Sequence, residues 1–247
     1  MFKAFIVIIY FYVSSFLYSN ESNSLEKNFS RLAFPNIEPG IYVVNLVYEI
    51  YLDGVLKEKS KGFSIINSNN SNSCLVYTEG KKSDIAFLVI RDTGYFMLSS
   101  KSSNPIKVSP SYKVKGISSL QDIIGLRFEE DFSLLEKRNK NLLKFKSKKA
   151  SLYPFVDLIR YDSNKFSTLH KDRNSHVLRE VIYKKGLISG VSAFANIEVV
   201  DRIFENHRTI VYTKNFSKTN LNNSIFTMKG FLRVFDIAKN YLKIRIS

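Results

Sequence analysis

The side chains that can do chemistry are few and scattered. There are three histidines, His170, His176 and His207. His170 and His176 border a charged turn, His170-Lys171-Asp172-Arg173-Asn174, with no carboxylate or histidine at metal-ligand spacing, so a surface role is expected. Asp157, Arg160 and His170 are the one grouping from which a hydrolase centre can be composed, and a surface ion-pair cluster is the plainer reading. Glu129-Glu130-Asp131 suits a hard cation, but an acidic triplet alone is ordinarily a solvated face. Cys74 is the single cysteine, which excludes an intramolecular disulfide and a cysteine-based zinc site; it reads as a small buried apolar residue. The sequence holds no Gly-rich phosphate loop, nucleophile elbow, two-histidine zinc helix or basic–aromatic RNA motif. The expectation is a binding protein, not an enzyme, with no catalytic residue, metal or cofactor.

Charge narrows the partners. The 247 residues carry 37 Lys and Arg against 22 Asp and Glu, a formal net charge of +15. Most of the lysines are dispersed; Lys144, Lys146, Lys148 and Lys149 form the one tight basic cluster. Nucleic acid and anionic membrane are the usual partners of such an excess. The N-terminus chooses between them. Lys3 is followed by an apolar run, Ala4–Leu17, and then by polar residues from Ser19. This is a secretory signal peptide over residues 1–19, shorter than the ~20 residues of a spanning helix. No cysteine lies near its end, Cys74 being far downstream, so a lipid anchor is not expected. Export to the periplasm removes nucleic acid from the expected partners and leaves an anionic membrane surface.

The elements that must position any site are strands. From Tyr42 to Leu52 every even position is apolar: Tyr42, Val44, Leu46, Tyr48, Ile50 and Leu52. Asp53-Gly54 is a hairpin signal, and Val55–Ile66 is the return strand. Short strands follow at Leu75–Thr78, Ile85–Ile90, Tyr95–Leu98 and Ile106–Ser109. Ser118–Asp122 starts a short helix carrying Leu120, Ile123 and Ile124, with Gly125 as its stop. Phe128–Arg138 fits helix and strand equally. Leu142–Lys149, Phe155–Tyr161, Val177–Lys184, Gly190–Val200 and His207–Asn215 are strands, and Phe231–Tyr241 has helical spacing. The sum is a mainly β chain, one large curled antiparallel sheet with one to three short helices.

A curled sheet offers its concave face to a ligand. The apolar residues expected there are Tyr42, Val44, Leu46, Tyr48, Ile50, Phe63, Ile65, Phe87, Phe96, Leu98, Leu120, Ile123 and Ile124. Two readings stand side by side: a filled core, and an apolar cavity for acyl chains.

The order of segments resembles the periplasmic LolA-like lipoprotein-sorting carriers, above all their spirochaete branch. The resemblance runs from Gly40 to Leu232. It is carried by Asp92-Thr93-Gly94-Tyr95-Phe96-Met97-Leu98, by Pro105–Ser109 followed by Ile117–Ile123, by Phe155–Asp162, by Arg179–Tyr183 and by Ile225-Phe226-Thr227. It implies an incomplete barrel over residues 40–247, after the signal peptide and an extension over 20–39. It also implies a non-catalytic carrier that shields acyl chains of lipoproteins or lipids. Such a carrier takes its cargo from an inner-membrane release complex and passes it to an outer-membrane acceptor. The tryptophan common in that sheet is absent here, with Tyr95 or Phe96 near its place, and no arginine is assigned to the family's cavity lid.

Overall fold

The structure is a computed structural model that describes residues 37–79, 84–91, 93–124, 126, 128–149, 151, 153–204 and 206–241. The expected signal peptide, most of the 20–39 extension and the stop at Gly125 lie outside the described residues. The strands are β1 Ile41–Leu52, β2 Val55–Asn67, β3 Ser73–Tyr77, β4 Ile85–Ile90, β5 Gly94–Ser99, β6 Ile106–Val108, β7 Lys113–Lys115 and β8 Ser118–Ser119. They continue as β9 Phe132–Asn139, β10 Leu142–Ser147, β11 Phe155–Arg160, β12 Lys165–Lys171, β13 Val177–Ile188, β14 Val191–Asp201 and β15 Arg208–Thr219. Two short helices, α1 Leu120–Ile124 and α2 Phe128–Asp131, lie between β8 and β9.

Thirteen strands form one curled, unclosed sheet in the order β6-β5-β4-β3-β2-β1-β15-β14-β13-β12-β11-β10-β9. The chain builds outward from β1 to β6, crosses over, and returns from β9 to β15, which pairs with β1. The free edges are therefore β6 and β9. Hairpin chemistry fixes the register locally: at the β1–β2 tip Asp53 and Gly54 have φ of 52° and 76°, as a type I′ turn requires.

The ambiguous stretch from Phe128 holds both elements, helix α2 and then strand β9. Strand β12 has no counterpart among the expected strands, and it overturns the surface reading of His170. Phe166, Thr168 and His170 alternate on one face, and His170 is 1% exposed. The hydrolase grouping dissolves for the same reason. Asp157 pairs in register with Leu169, so it lies on the face opposite His170, bonded to Lys171 Nζ at 2.5 Å.

Each face of the sheet has its own cover. On the outer face of β1–β5 lie the C-terminal turns Asn223–Phe226, Met228–Phe231, Val234–Asp236 and Ile237–Tyr241. The helix expected over Phe231–Tyr241 is present from Val234 to Tyr241, with Phe231 closing the helical turn before it, and together they bury Phe231, Val234 and Ala238. The turns are capped in place: Thr227 Oγ1 accepts from Gly230 N at 3.1 Å. On the inner face lies the crossover from β6 to β9.

Candidate functional site

Pairing register decides which residues share the concave face, because directly opposed residues of antiparallel strands point the same way. Tyr42, Val44, Leu46 and Tyr48 of β1 point inward. Their partners on β2 are Ile66, Ser64, Gly62 and Ser60. Gly62 is needed there: a Cβ would stand 2.7 Å from the Val76 carbonyl oxygen and 3.5 Å from the Tyr48 ring. Across this gap Tyr48 meets Tyr77 at 5.1 Å, Tyr77 meets Phe87 at 6.4 Å, and Phe87 meets Tyr112 of the crossover at 5.8 Å. Phe87 and Leu120 are fully buried in this cluster, Ile123 packs on it, and Ile50 is buried further along β1. The Ile124 side chain lies outside the described residues.

Four of the residues expected on the concave face need correction. Phe63 and Ile65 oppose Asn45 and Val43, and Phe96 and Leu98 oppose Leu88 and Ala86. All four belong to the outer face beneath the C-terminal turns. Apolar character made them candidates; register puts them on the other side.

The crossover, residues 109–131, spans the concave face. Its contacts step from Phe87 on β4 to Glu58 on β2, Thr209 on β15, Arg179 on β13 and Phe145 on β10. Most of these anchors are polar. Lys115, 2% exposed, places Nζ 2.6 Å from Glu58 Oε1 and lies over the Tyr77 ring. Ile117 N donates to Thr209 Oγ1 at 3.1 Å.

The deepest anchor is Asp122. Its Oδ2 accepts from Ser119 N at 2.6 Å and Ser119 Oγ at 2.7 Å, and stands 3.0 Å from Arg179 Nη1. Burial nonetheless raises the Asp122 carboxyl above its ordinary pKa, against the pull of Arg179 and Ser119. Arg179 lies opposite His170 in register. Burial, helped by the Arg179 charge, pushes the His170 imidazole down to about 3, so it is neutral. His170 Nε2 bonds Thr168 Oγ1 at 3.0 Å, and the ring meets Tyr153 edge-on at 5.2 Å. Asp122 Oδ1 and His170 Nδ1 are buried with no hydrogen-bond partner among the described residues, which marks an interface less complete than a core. Sequence reading found neither Arg179 nor Lys115 as an anchor. The alternation Phe166-x-Thr168-x-His170 was the signal for this side of the site.

Between the edges β6 and β9 the sheet stays open. A cavity of about 430 Å³ lies there with a mixed lining, Tyr95, Val108, Leu126 and Phe132 beside Arg91, Lys107, Gln121, Asp131 and Lys149. The four apolar residues also pack in the concave-face cluster, so the cavity floor continues the buried interior.

Solved structures share this fold. A LolA superfamily protein from Nitrosomonas europaea matches at TM-score 0.64 and 19% identity, over 83% of this chain and 96% of its own. The chain has a LolA-like fold. A DUF1329 family protein from Desulfovibrio piger matches this LolA-like chain at TM-score 0.65 and 12% identity, over 84% and 98% of the two chains. A domain assigned as an outer membrane lipoprotein-sorting protein from Vibrio parahaemolyticus matches at 0.62 and 13%, over 78% and 92%. No protein-family model and no curated protein matches the sequence. The basic cluster is split in this fold: Lys144 pairs with Glu136 at 2.9 Å, while Lys146 and Lys149 are exposed.

Proposed function

We propose that this LolA-like protein is an exported, non-catalytic carrier that shields acyl chains of lipoproteins or lipids in the periplasm, between the inner and the outer membrane. The observation that supports the reading is the seam cavity, whose apolar lining residues run on into the buried cluster beneath a crossover pinned by buried polar groups as well as by apolar packing. Its volume falls in the ~300–1,000 Å³ range of small-molecule sites. Displacing the crossover would bare an apolar face several strands wide. Each methylene hidden there contributes about 0.8 kcal/mol, so a long chain is held firmly yet released when the crossover returns.

A second reading has its own observation. Tyr48, Tyr77, Phe87 and Leu120 are fully buried as the structure stands, which suits a structural or interaction protein with a filled sheet.

A fluorescent acyl probe separates the two. The carrier binds it; Tyr95→Asp and Phe132→Asp each weaken binding at least tenfold, and Phe235→Ala, on the outer face, leaves it unchanged. Folded protein that binds no acyl probe decides for the filled reading.

A further inference from the structure

One rim of the sheet collects features that the cavity does not use. Tyr51 pairs with Arg208, Arg179 with Asp201, Phe155 with Lys171, and Lys146 with Phe155. The β1–β2 and β14–β15 tips, the β12–β13 turn and the end of β10 therefore all lie along the same rim. The two tips are joined: Gly54 N donates to Asn206 O at 3.1 Å, and His207 Nε2 lies 3.2 Å from Asp53 Oδ1. Asp201 Oδ1 accepts from Ile203 N at 2.8 Å and Phe204 N at 3.0 Å, which fixes the second tip. On these tips Val55, Leu56, Ile203 and Phe204 are 55%, 47%, 61% and 59% exposed. Among the described residues eleven large apolar side chains are exposed, and four of them meet at this place. Single exposed apolar residues need no explanation; a cluster on adjoining tips does.

The charge along the rim is sorted. Three of its acids meet cations, Asp157 with Lys171, Glu180 with Arg202 and Glu198 with Arg208, and Asp53 and Asp172 lie beside His207 and His176. Lys57, Lys146, Lys149 and Arg173 are exposed there and have no acidic partner among the described residues. Apolar tips beside unpaired cations fit one kind of surface, a bilayer containing anionic lipid. The geometry points to this rim as the protein's membrane-docking surface. The four apolar side chains enter the headgroup region, and the cations meet lipid phosphates.

The chain has no tryptophan, so a single one reports locally. The full chain is prepared as Phe204→Trp and, for the opposite end of the sheet, as Leu187→Trp. With phosphatidylglycerol-containing vesicles the first blue-shifts and is quenched by brominated acyl chains, and the second is not. Pure phosphatidylcholine vesicles move neither. Reversing Lys57 and Lys146 to Glu lowers the vesicle affinity of Phe204→Trp about a hundredfold. Acyl-probe binding in solution is unchanged by that reversal. Equal responses from both reporters, silence from both, or indifference to the lysine reversal overturns the docking surface. A Phe204→Trp protein that enters the vesicles yet binds no acyl probe keeps the docking surface and removes the carrier reading.

Discussion

The sheet has two covered faces, and the inner cover adds buried ion pairs to its apolar packing. The C-terminal turns meet the outer face with Ile225, Phe226, Phe231, Val234 and Ala238, against Phe63, Ile65, Cys74, Val76 and Leu88. A side-chain hydrogen bond from Asn67 Nδ2 to Asn223 Oδ1, 2.7 Å long, lies at the margin of that contact. The crossover meets the inner face with as many buried apolar residues, Val114, Ile117, Leu120, Leu126 and Phe128, and is also pinned to the strands by Lys115, Asp122 and the backbone of Ile117. Apolar burial is non-directional and lost only by exposing area. A buried ion pair sets desolvation against its Coulomb gain, so it adds specificity more than strength. The proposed carrier function requires the outer cover to stay in place and the inner one to exchange.

Thiol labelling breaks or sharpens this most directly. Cys74 is fully buried under the outer cover, and burial raises its thiol far above the ordinary range. It should label at the rate of global unfolding. In a Cys74→Ala background, Leu120→Cys places the single thiol under the crossover. If that segment opens locally at a cost ~3 kcal/mol below global unfolding, labelling is over a hundredfold faster. Equal rates would show that the two covers are one cooperative unit.

Truncation in the outer cover comes next. Phe231 is fully buried, so Phe231→Ala should cost about 3–5 kcal/mol in denaturant unfolding while acyl-probe affinity stays as it was. A parallel loss of probe binding would tie the outer cover to the site.

The inner anchor gives a smaller and more particular effect. Arg179→Met leaves Asp122 buried without its cation and should cost about 3 kcal/mol. Adding Asp122→Leu removes the stranded carboxyl and restores most of that loss. Arg179→Met also loosens the crossover, so acyl probe enters faster in stopped-flow mixing. Additive losses in the double variant would mean that the pair is not coupled.

How far these faces can be read from sequence depends on the range of the determinant. The inner face of β1 is legible because alternation over Tyr42–Ile50 is local. The sides of Phe63 and Phe96 are not, because they follow from pairing with Asn45 and Leu88, and an apolar residue looks alike on either face. Strand β12 is hidden because two of its three inner residues, Thr168 and His170, are polar and become buried only through partners on other strands. The pairing of Asp122 with Arg179 has no local mark at all. The overall sheet is nonetheless legible, as is its resemblance to lipoprotein-sorting carriers, because order and spacing of strands survive where individual residues do not.

The weakest expected effect tests how dry the inner interface is. His170 has a folded pKa of about 3, against about 6.5 when unfolded. Below pH 6.5 the unfolded chain binds a proton that the native state refuses. Stability should therefore fall as pH drops from about 6.5 toward 3, by at most ~1.4 kcal/mol per pH unit. Asp122 works the other way. Its raised folded pKa makes the native state hold the extra proton, so its contribution is present at low pH and lost as pH rises through that value. His170→Gln can keep a bond to Thr168 but cannot titrate. Measured by urea unfolding between pH 7 and 5, the unsubstituted protein should lose stability that the His170→Gln variant keeps. Identical slopes would mean that His170 takes up its proton in the folded state. Water would then already reach beneath the crossover, and the inner cover would be looser than its buried ion pair implies.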